Sequence, residues 1–200
     1  MRTINRKSAP RVMHGHVQMK NRWDLSPDYY SLPQAIPLID RRKPGEGYRH
    51  ILRQKDLHDF VAILPDWDEL SHGLNALVLA PGEPDQFGYH VPGVIHICAW
   101  ERRLWKELYT DFYESERPVL ARLGVPAERS RRGYLCKFTE GTVRAYQLLS
   151  VLLHELGHHH DRITTRAQED SCRGEPYAEQ YARAYQDRIW DRYLREFSLD

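Results

Sequence analysis

The sequence lacks a long hydrophobic run, and it lacks a strong excess of charge of either sign. No stretch holds the roughly twenty consecutive apolar residues that cross a bilayer, so we expect no membrane span. The formal net charge of +1 provides no overall attraction to nucleic acid or to an anionic membrane. The basic residues at the start of the chain are not followed by an apolar segment, so we expect no secretory signal.

Cysteine is also scarce, since the chain contains only Cys98, Cys136 and Cys172. Three scattered cysteines are too few for a disulfide framework of the kind that holds small secreted domains together. A reducing compartment is the simplest setting for such a chain, and we therefore expect a cytoplasmic protein.

The remaining composition is that of a globular protein, with 41% hydrophobic and 11% aromatic residues in a chain of 200. This length suits one domain with a terminal arm. We interpret residues 1–22 as a flexible arm, because they carry basic side chains and no acid, and residues 23–200 as a single domain. The alternative interpretation of the arm is a nucleic-acid-binding segment.

An H-E-x-x-H motif lies in the apolar run that begins at Leu148. The leucines of this run recur at three- and four-residue steps, which predicts a helix. Residues four apart lie on one helix face, so His154 and His158 can share one zinc ion at about 2.0–2.1 Å. Glu155 is one position further round the helix, where it could contact a water at the metal and act as the general base.

Three acidic residues are candidates for the third metal ligand. The metzincin pattern is excluded, because Asp161 and Thr164 occupy the positions of its Gly and final His. Asp161 shares the helix face of the two histidines, but three ligands along a straight helix cannot converge on one ion. Glu175 and Glu179 follow on a second predicted helix. Alanines beside them would allow close approach to another helix, which favours an inward role for at least one of the two.

The sequence H-E-L-G-H, followed about twenty residues later by E-x-x-A-E-x-x-A, resembles the gluzincin metallopeptidases. The nearest patterns are E-x-x-A-D and E-x-x-A-N in CAAX-processing and ImmA/IrrE-type peptidases, and the resemblance covers residues 148–185. It implies that Glu175 is the third ligand of a single Zn²⁺ and that Glu179 supports a ligating histidine. It further implies a zinc metallopeptidase that acts on a peptide or protein substrate.

The expected fold is α+β and zincin-like, with a small twisted mixed or antiparallel sheet, an H-E-x-x-H helix and a C-terminal glutamate helix. Strands are predicted over residues 74–80 and 93–100, and a long helix over residues 101–123. The strand of residues 93–100 resembles the zincin edge strand to which a substrate adds in extended form. Thr139 offers the cap residue with which the metal-binding helix would begin.

A peptidase also needs a donor that stabilises the negative oxygen of the transition state. The candidates are Tyr146, Tyr177, Tyr181 and His96, and the sequence does not choose among them. The alternative function is a non-catalytic zincin-fold regulator or nucleic-acid-associated protein with a structural or sensory zinc. The intact Glu155 favours the enzyme, since a purely structural site needs no base.

Overall fold

The protein is described here by a computed structural model that covers residues 11–13, 16–18, 28–165 and 172–199. It is a mixed α+β structure with small sheets. In the N-terminal arm, strands β1 (Arg11–Met13) and β2 (His16–Gln18) pair antiparallel, and the other residues before 28 lie outside the described ranges. The helices are α1 (Gln54–Ile63), α2 (Trp67–Leu70), α3 (Thr110–Arg122), α4 (Glu140–Tyr146), α5 (Leu153–Thr164) and α6 (Gly174–Glu196). None of the helices in these ranges is long and apolar enough to cross a membrane.

The largest sheet is mixed and has the strand order β3–β5–β7–β6. Its strands are β3 (Leu38–Arg41), β5 (Ala76–Ala80), β6 (Gly88–Val91) and β7 (Val94–Cys98). The first three in spatial order are parallel, and β6 is antiparallel to β7. Every residue of β5 and β7 is buried, as is typical of interior strands that are covered on both faces.

The strand predicted over residues 93–100 was expected at the sheet edge, and this was wrong. Strand β7 is interior, because it lies between β5 and β6 in the sheet and all of its residues are buried. The edge strand beside the H-E-x-x-H helix is β6, a segment of intermediate burial that hydrophobicity alone does not mark as a strand.

The helix predicted over residues 101–123 was wrong in its first half. Strand β8 (Trp100–Glu101) pairs with β4 (Tyr48–Arg49), and β9 (Trp105–Tyr109) precedes α3. In β9, Lys106 and Leu108 are buried while Trp105, Glu107 and Tyr109 are exposed, which is the two-residue alternation of a strand. This strand joins β11 (Gly133–Lys137) and β10 (Ala127–Arg129) in a second sheet. Helix α3 continues through Pro118.

The H-E-x-x-H helix begins where the sequence predicted. The Thr139 hydroxyl accepts a hydrogen bond of 3.0 Å from the backbone N–H of Thr142, which caps α4. The helix continues through a π-helical segment (Gln147–Leu152) into α5. A π turn breaks the normal backbone pairing, and here the carbonyl of Leu149 accepts a hydrogen bond of 3.0 Å from Gln186 on α6.

Helices α5 and α6 pack closely because Gly157 has no side chain. A Cβ atom at this position would lie 2.8 Å from the Cα of Ala178, which is fully buried. The small residues thus allow the two backbones to approach, as the sequence predicted. This contact brings the first turn of α6 beside the two histidines of the motif.

Candidate metal and catalytic site

Three side chains from α5 and α6 converge on one point. The Nε2 atoms of His154 and His158 are 3.0 Å apart. The Glu175 carboxylate lies 3.0 Å from Nε2 of His154 and 3.3 Å from Nε2 of His158. Tetrahedral zinc ligands at about 2.0–2.1 Å from the ion would be about 3.3 Å from one another. These residues therefore fit one zinc ion, with a His₂Glu donor set that catalytic zinc sites use.

The protonation state of His154 agrees with a metal site. Two imidazole nitrogens and a carboxylate that face one another repel unless a proton or a metal cation lies among them. Burial lowers the pKa of His154, and the neighbouring His158 adds to this effect although Glu175 opposes it. His154 is therefore kept in the neutral form that binds a metal.

Asp161 is not brought to the histidines but binds the backbone at the start of α6. Its fully buried carboxylate accepts hydrogen bonds of 2.7 Å from the backbone N–H and from Nε of Arg173, and one of 3.3 Å from Gly174 N–H. Burial acts to raise the pKa of Asp161, but its bonds with Arg173 outweigh burial and lower it. Asp161 thus anchors the start of α6 two residues before Glu175.

Glu155 has the surroundings of a general base. It is only 7% exposed, it lines the same cavity as the histidines, and it forms no hydrogen bond with a described residue. Burial raises its pKa to about 8, with a further contribution from the negative charge of Glu175. A Cβ atom on Gly88 would lie 3.3 Å from Oε1 of Glu155, so the edge strand β6 passes directly beside this carboxylate.

The cavity in front of these residues has a volume of about 590 Å³. One wall is a row of residues four apart, Tyr146, Ser150, His154 and His158. In an unbroken α-helix, the side chains of Tyr146 and His158 would point in directions about 120° apart around the helix axis. A π turn takes up one additional residue and reduces this difference to about 20°. The π-helical segment therefore places the whole row on the cavity.

The four candidate transition-state donors lie in different parts of the structure. Of these four residues, Tyr146 alone lines this cavity. The Tyr177 hydroxyl is hydrogen-bonded to Nδ1 of His160 at 2.7 Å. The Cβ atom of Tyr181 lies beside Gly157 at the contact of α5 and α6, and its ring is 5.0 Å from that of His160. His96 is buried in β7, where its Nε2 is 2.9 Å from the hydroxyl of Tyr30.

Glu179 lines the cavity one turn after Glu175, and its carboxylate pairs with Arg183 at 3.2 Å. It forms no hydrogen bond to a ligand histidine in the described part of the chain. Within those same ranges, Nδ1 of His158 is buried without a partner. The support for a histidine that the resemblance implies therefore stays a prediction.

Sequence reasoning missed Glu116, which enters the cavity from α3. Its carboxylate accepts a hydrogen bond of 2.9 Å from the Ser150 hydroxyl. In the sequence, Glu116 lies in the charged run Glu114–Arg117 and looks like an ordinary exposed helix residue. Only the packing of α3 against the π-helical segment distinguishes it from Glu114.

Comparison of the chain with protein-family models, with curated proteins and with solved structures found no match. The functional interpretation therefore depends on the residues of the site and on their geometry.

Proposed function

We propose that this chain is a zinc-dependent peptidase with a zincin-like fold, which hydrolyses peptide bonds in a peptide or protein substrate. The observation that carries the proposal is the convergence of His154, His158 and Glu175, with Glu155 unpaired beside them in one open cavity. Two histidines and a glutamate leave a coordination position free for water or substrate, as catalytic zinc sites require.

Zinc, when bound, would act as a Lewis acid that lowers the pKa of water and polarises a carbonyl oxygen. Glu155 accepts the proton of the attacking water and delivers it to the leaving amine. Its burial supports this role, since a carboxylate with a raised pKa holds the proton between the two transfers more readily. Tyr146 lines the cavity, but it lies eight residues, or about 12 Å of helix, before His154, and its hydroxyl is hydrogen-bonded to Glu116, so none of the four candidate donors is assigned to the oxyanion.

The substrate would bind along β6. This strand ends the sheet, and its outer edge is not paired with another strand of that sheet. An extended peptide can add to such an edge through main-chain hydrogen bonds. Because Gly88 has no side chain and lies beside Glu155, a peptide on β6 would pass close to the base.

The alternative is a regulatory or nucleic-acid-associated protein with a structural or sensory zinc. A structural zinc site is normally closed by four protein ligands. Here three ligands adjoin a cavity of about 590 Å³, which favours the enzyme. Most of the basic N-terminal arm lies outside the described residues, so a role in nucleic-acid binding stays a prediction.

Glu155→Gln tests the proposal. We expect this variant to stay folded and keep one zinc per chain, because Glu155 is not a ligand, while hydrolysis falls by at least about 100-fold. Zinc content would be measured by mass spectrometry, and activity on a peptide library. Glu140→Gln, which changes an exposed glutamate of α4, is the matched control. Equal activity of Glu155→Gln and wild type on a verified substrate would refute the mechanism.

A further inference from the structure

The cavity has a second end, which the zinc site does not use. Helix α3 presents Glu116 there, and Ser150 donates a hydrogen bond of 2.9 Å to its carboxylate. Ser150 is four residues before His154 on the same wall, which corresponds to about 6 Å between their Cβ atoms. Glu116 is therefore about one side-chain length from the place where a scissile bond would lie.

The lining of the cavity is rich in acidic side chains. No lysine or arginine is found among the described residues that line it. Of its acidic side chains, Glu179 is paired with Arg183 at 3.2 Å and Asp85 lies 3.9 Å from Nζ of Lys106, whereas Glu116 forms no ion pair with a described residue. The carboxylates of the lining are those of Asp85, Glu116, Glu155, Glu175 and Glu179.

Two aromatic rings lie beside Glu116 in the cavity wall. Phe112 is four residues before Glu116 on α3 and thus on the same helix face. Its ring stacks on Phe87, with 5.6 Å between the centroids and 16° between the planes. Both rings line the cavity. Because the Lys106 ammonium already lies 5.0 Å from the Phe87 centroid, we assign the methylene stem of a long cationic side chain to Phe112, with its charged head at Glu116.

Glu155, the proposed base, lies in the same cavity; it is more than nine-tenths buried and has no hydrogen-bond partner among the described residues, which indicates that this cavity receives a ligand. Burial also raises the pKa of Glu116, although hydrogen bonds from Ser150 and Tyr146 act against this effect. A cationic ligand would replace the water that Glu116 has lost and would favour its ionised form.

We propose that Glu116 and Phe112 form a subsite that binds a lysine or arginine side chain of the substrate beside the scissile bond. The inference rests on the proposed peptidase function and names its substrate class. The chemistry recognised is an ammonium or guanidinium group, which an N-terminal α-amine could also supply.

Binding can be measured without catalysis in the zinc-loaded Glu155→Gln protein. The probes are two N-acetylated peptides that differ only in arginine or the uncharged isostere citrulline, and calorimetry gives their affinities. We expect the arginine peptide to bind at least about tenfold more tightly. Adding Glu116→Gln should bring the ratio of affinities close to one. Adding Glu114→Gln, an equal charge change on the exposed side of α3, should leave the ratio unchanged.

A ratio near one before Glu116 is changed, or a ratio that Glu116→Gln does not lower, would overturn the subsite. If a free α-amine in place of the acetyl group increases affinity through Glu116 and arginine does not, the cation is the N-terminus and the side-chain assignment is wrong. If Glu116→Gln fails to fold, Glu116→Asp, which shortens the reach by one methylene, should still lower the ratio. A Glu116-dependent ratio in a protein that cleaves no peptide would refute the peptidase but keep the subsite.

Discussion

Two pairs of histidines in this protein are shielded from solvent, but their side chains face different chemical groups. His154 and His158 direct their Nε2 atoms at each other and at Glu175, within 3.0–3.3 Å. His159 and His96 are also buried, but their Nε2 atoms are each close to one neutral oxygen, on His72 and Tyr30. Burial lowers the pKa of each of the latter two to about 4, so they stay neutral within the fold.

The comparison shows that a buried histidine on this helix is not a candidate metal ligand merely because of its residue type or its place in the sequence. His158 and His159 are adjacent on α5, yet one faces the cavity and the other reaches the backbone of another segment. The difference lies in what the opposite element supplies. Helix α6 brings a carboxylate to the first pair, whereas the second pair meets groups that satisfy one hydrogen bond and carry no charge.

Removing the Glu175 carboxylate, which faces His154 and His158, should have the largest effect on zinc binding. We expect Glu175→Ala to weaken zinc binding by about 1,000-fold or more, because a direct ligand is lost, and Glu179→Ala to weaken it by about tenfold at most. Titration against a competing chelator measures both variants, and Glu179→Ala serves as the neighbouring control. Loss of zinc in Glu179→Ala with retention in Glu175→Ala would shift the assigned ligand by one helical turn.

Weakening the contacts that hold the start of α6, while keeping Glu175 itself, should have an intermediate effect on zinc affinity. Asp161→Asn keeps the shape of the side chain but weakens the hydrogen bonds that hold the start of α6. We expect zinc affinity to fall about 10- to 100-fold and the free energy of unfolding to fall by about 2 kcal/mol.

Asp187→Asn, on an exposed side of α6, controls for the loss of charge. Chelator titration and urea unfolding are the two measurements. If Asp161→Asn retains wild-type zinc affinity, Asp161 does not position Glu175.

The contribution of the buried histidine His96 to the free energy of unfolding should depend on pH, and this is the smallest of the three expected effects. The pKa of His96 is about 6.5 when unfolded and about 4 in the fold, so the unfolded chain binds a proton first as pH falls. Stability that is present above pH 6.5 is then lost toward pH 4, by about 2 kcal/mol between pH 7 and pH 5.

His96→Gln should remove this part of the pH dependence, and exposed His58→Gln should not. Urea unfolding at several pH values provides the measurement. An unchanged slope in His96→Gln would mean that His96 does not contribute to acid sensitivity.

Local pattern alone predicted the parts of this structure that depend on near neighbours in the sequence. The helical period of the run after Leu148 and the cap at Thr139 are confirmed. The H-E-x-x-H spacing placed His154 and His158 on one face without reference to any other element. The choice of Glu175 over Glu179 came from the resemblance, and the geometry brings Glu175 to the histidines.

Tertiary structure decided the features that depend on contacts between distant segments. Leu108 is apolar in either a helix or a strand, and only pairing with β11 selects the strand. In the sequence Glu116 resembles an exposed helix residue, and only the hydrogen bond from Ser150 distinguishes it. Asp161 is a weak candidate ligand by its helix face, whereas in the structure Arg173 binds its carboxylate. Sequence periodicity reports which face of an element is apolar, but the partner of that face is set by packing across the whole chain.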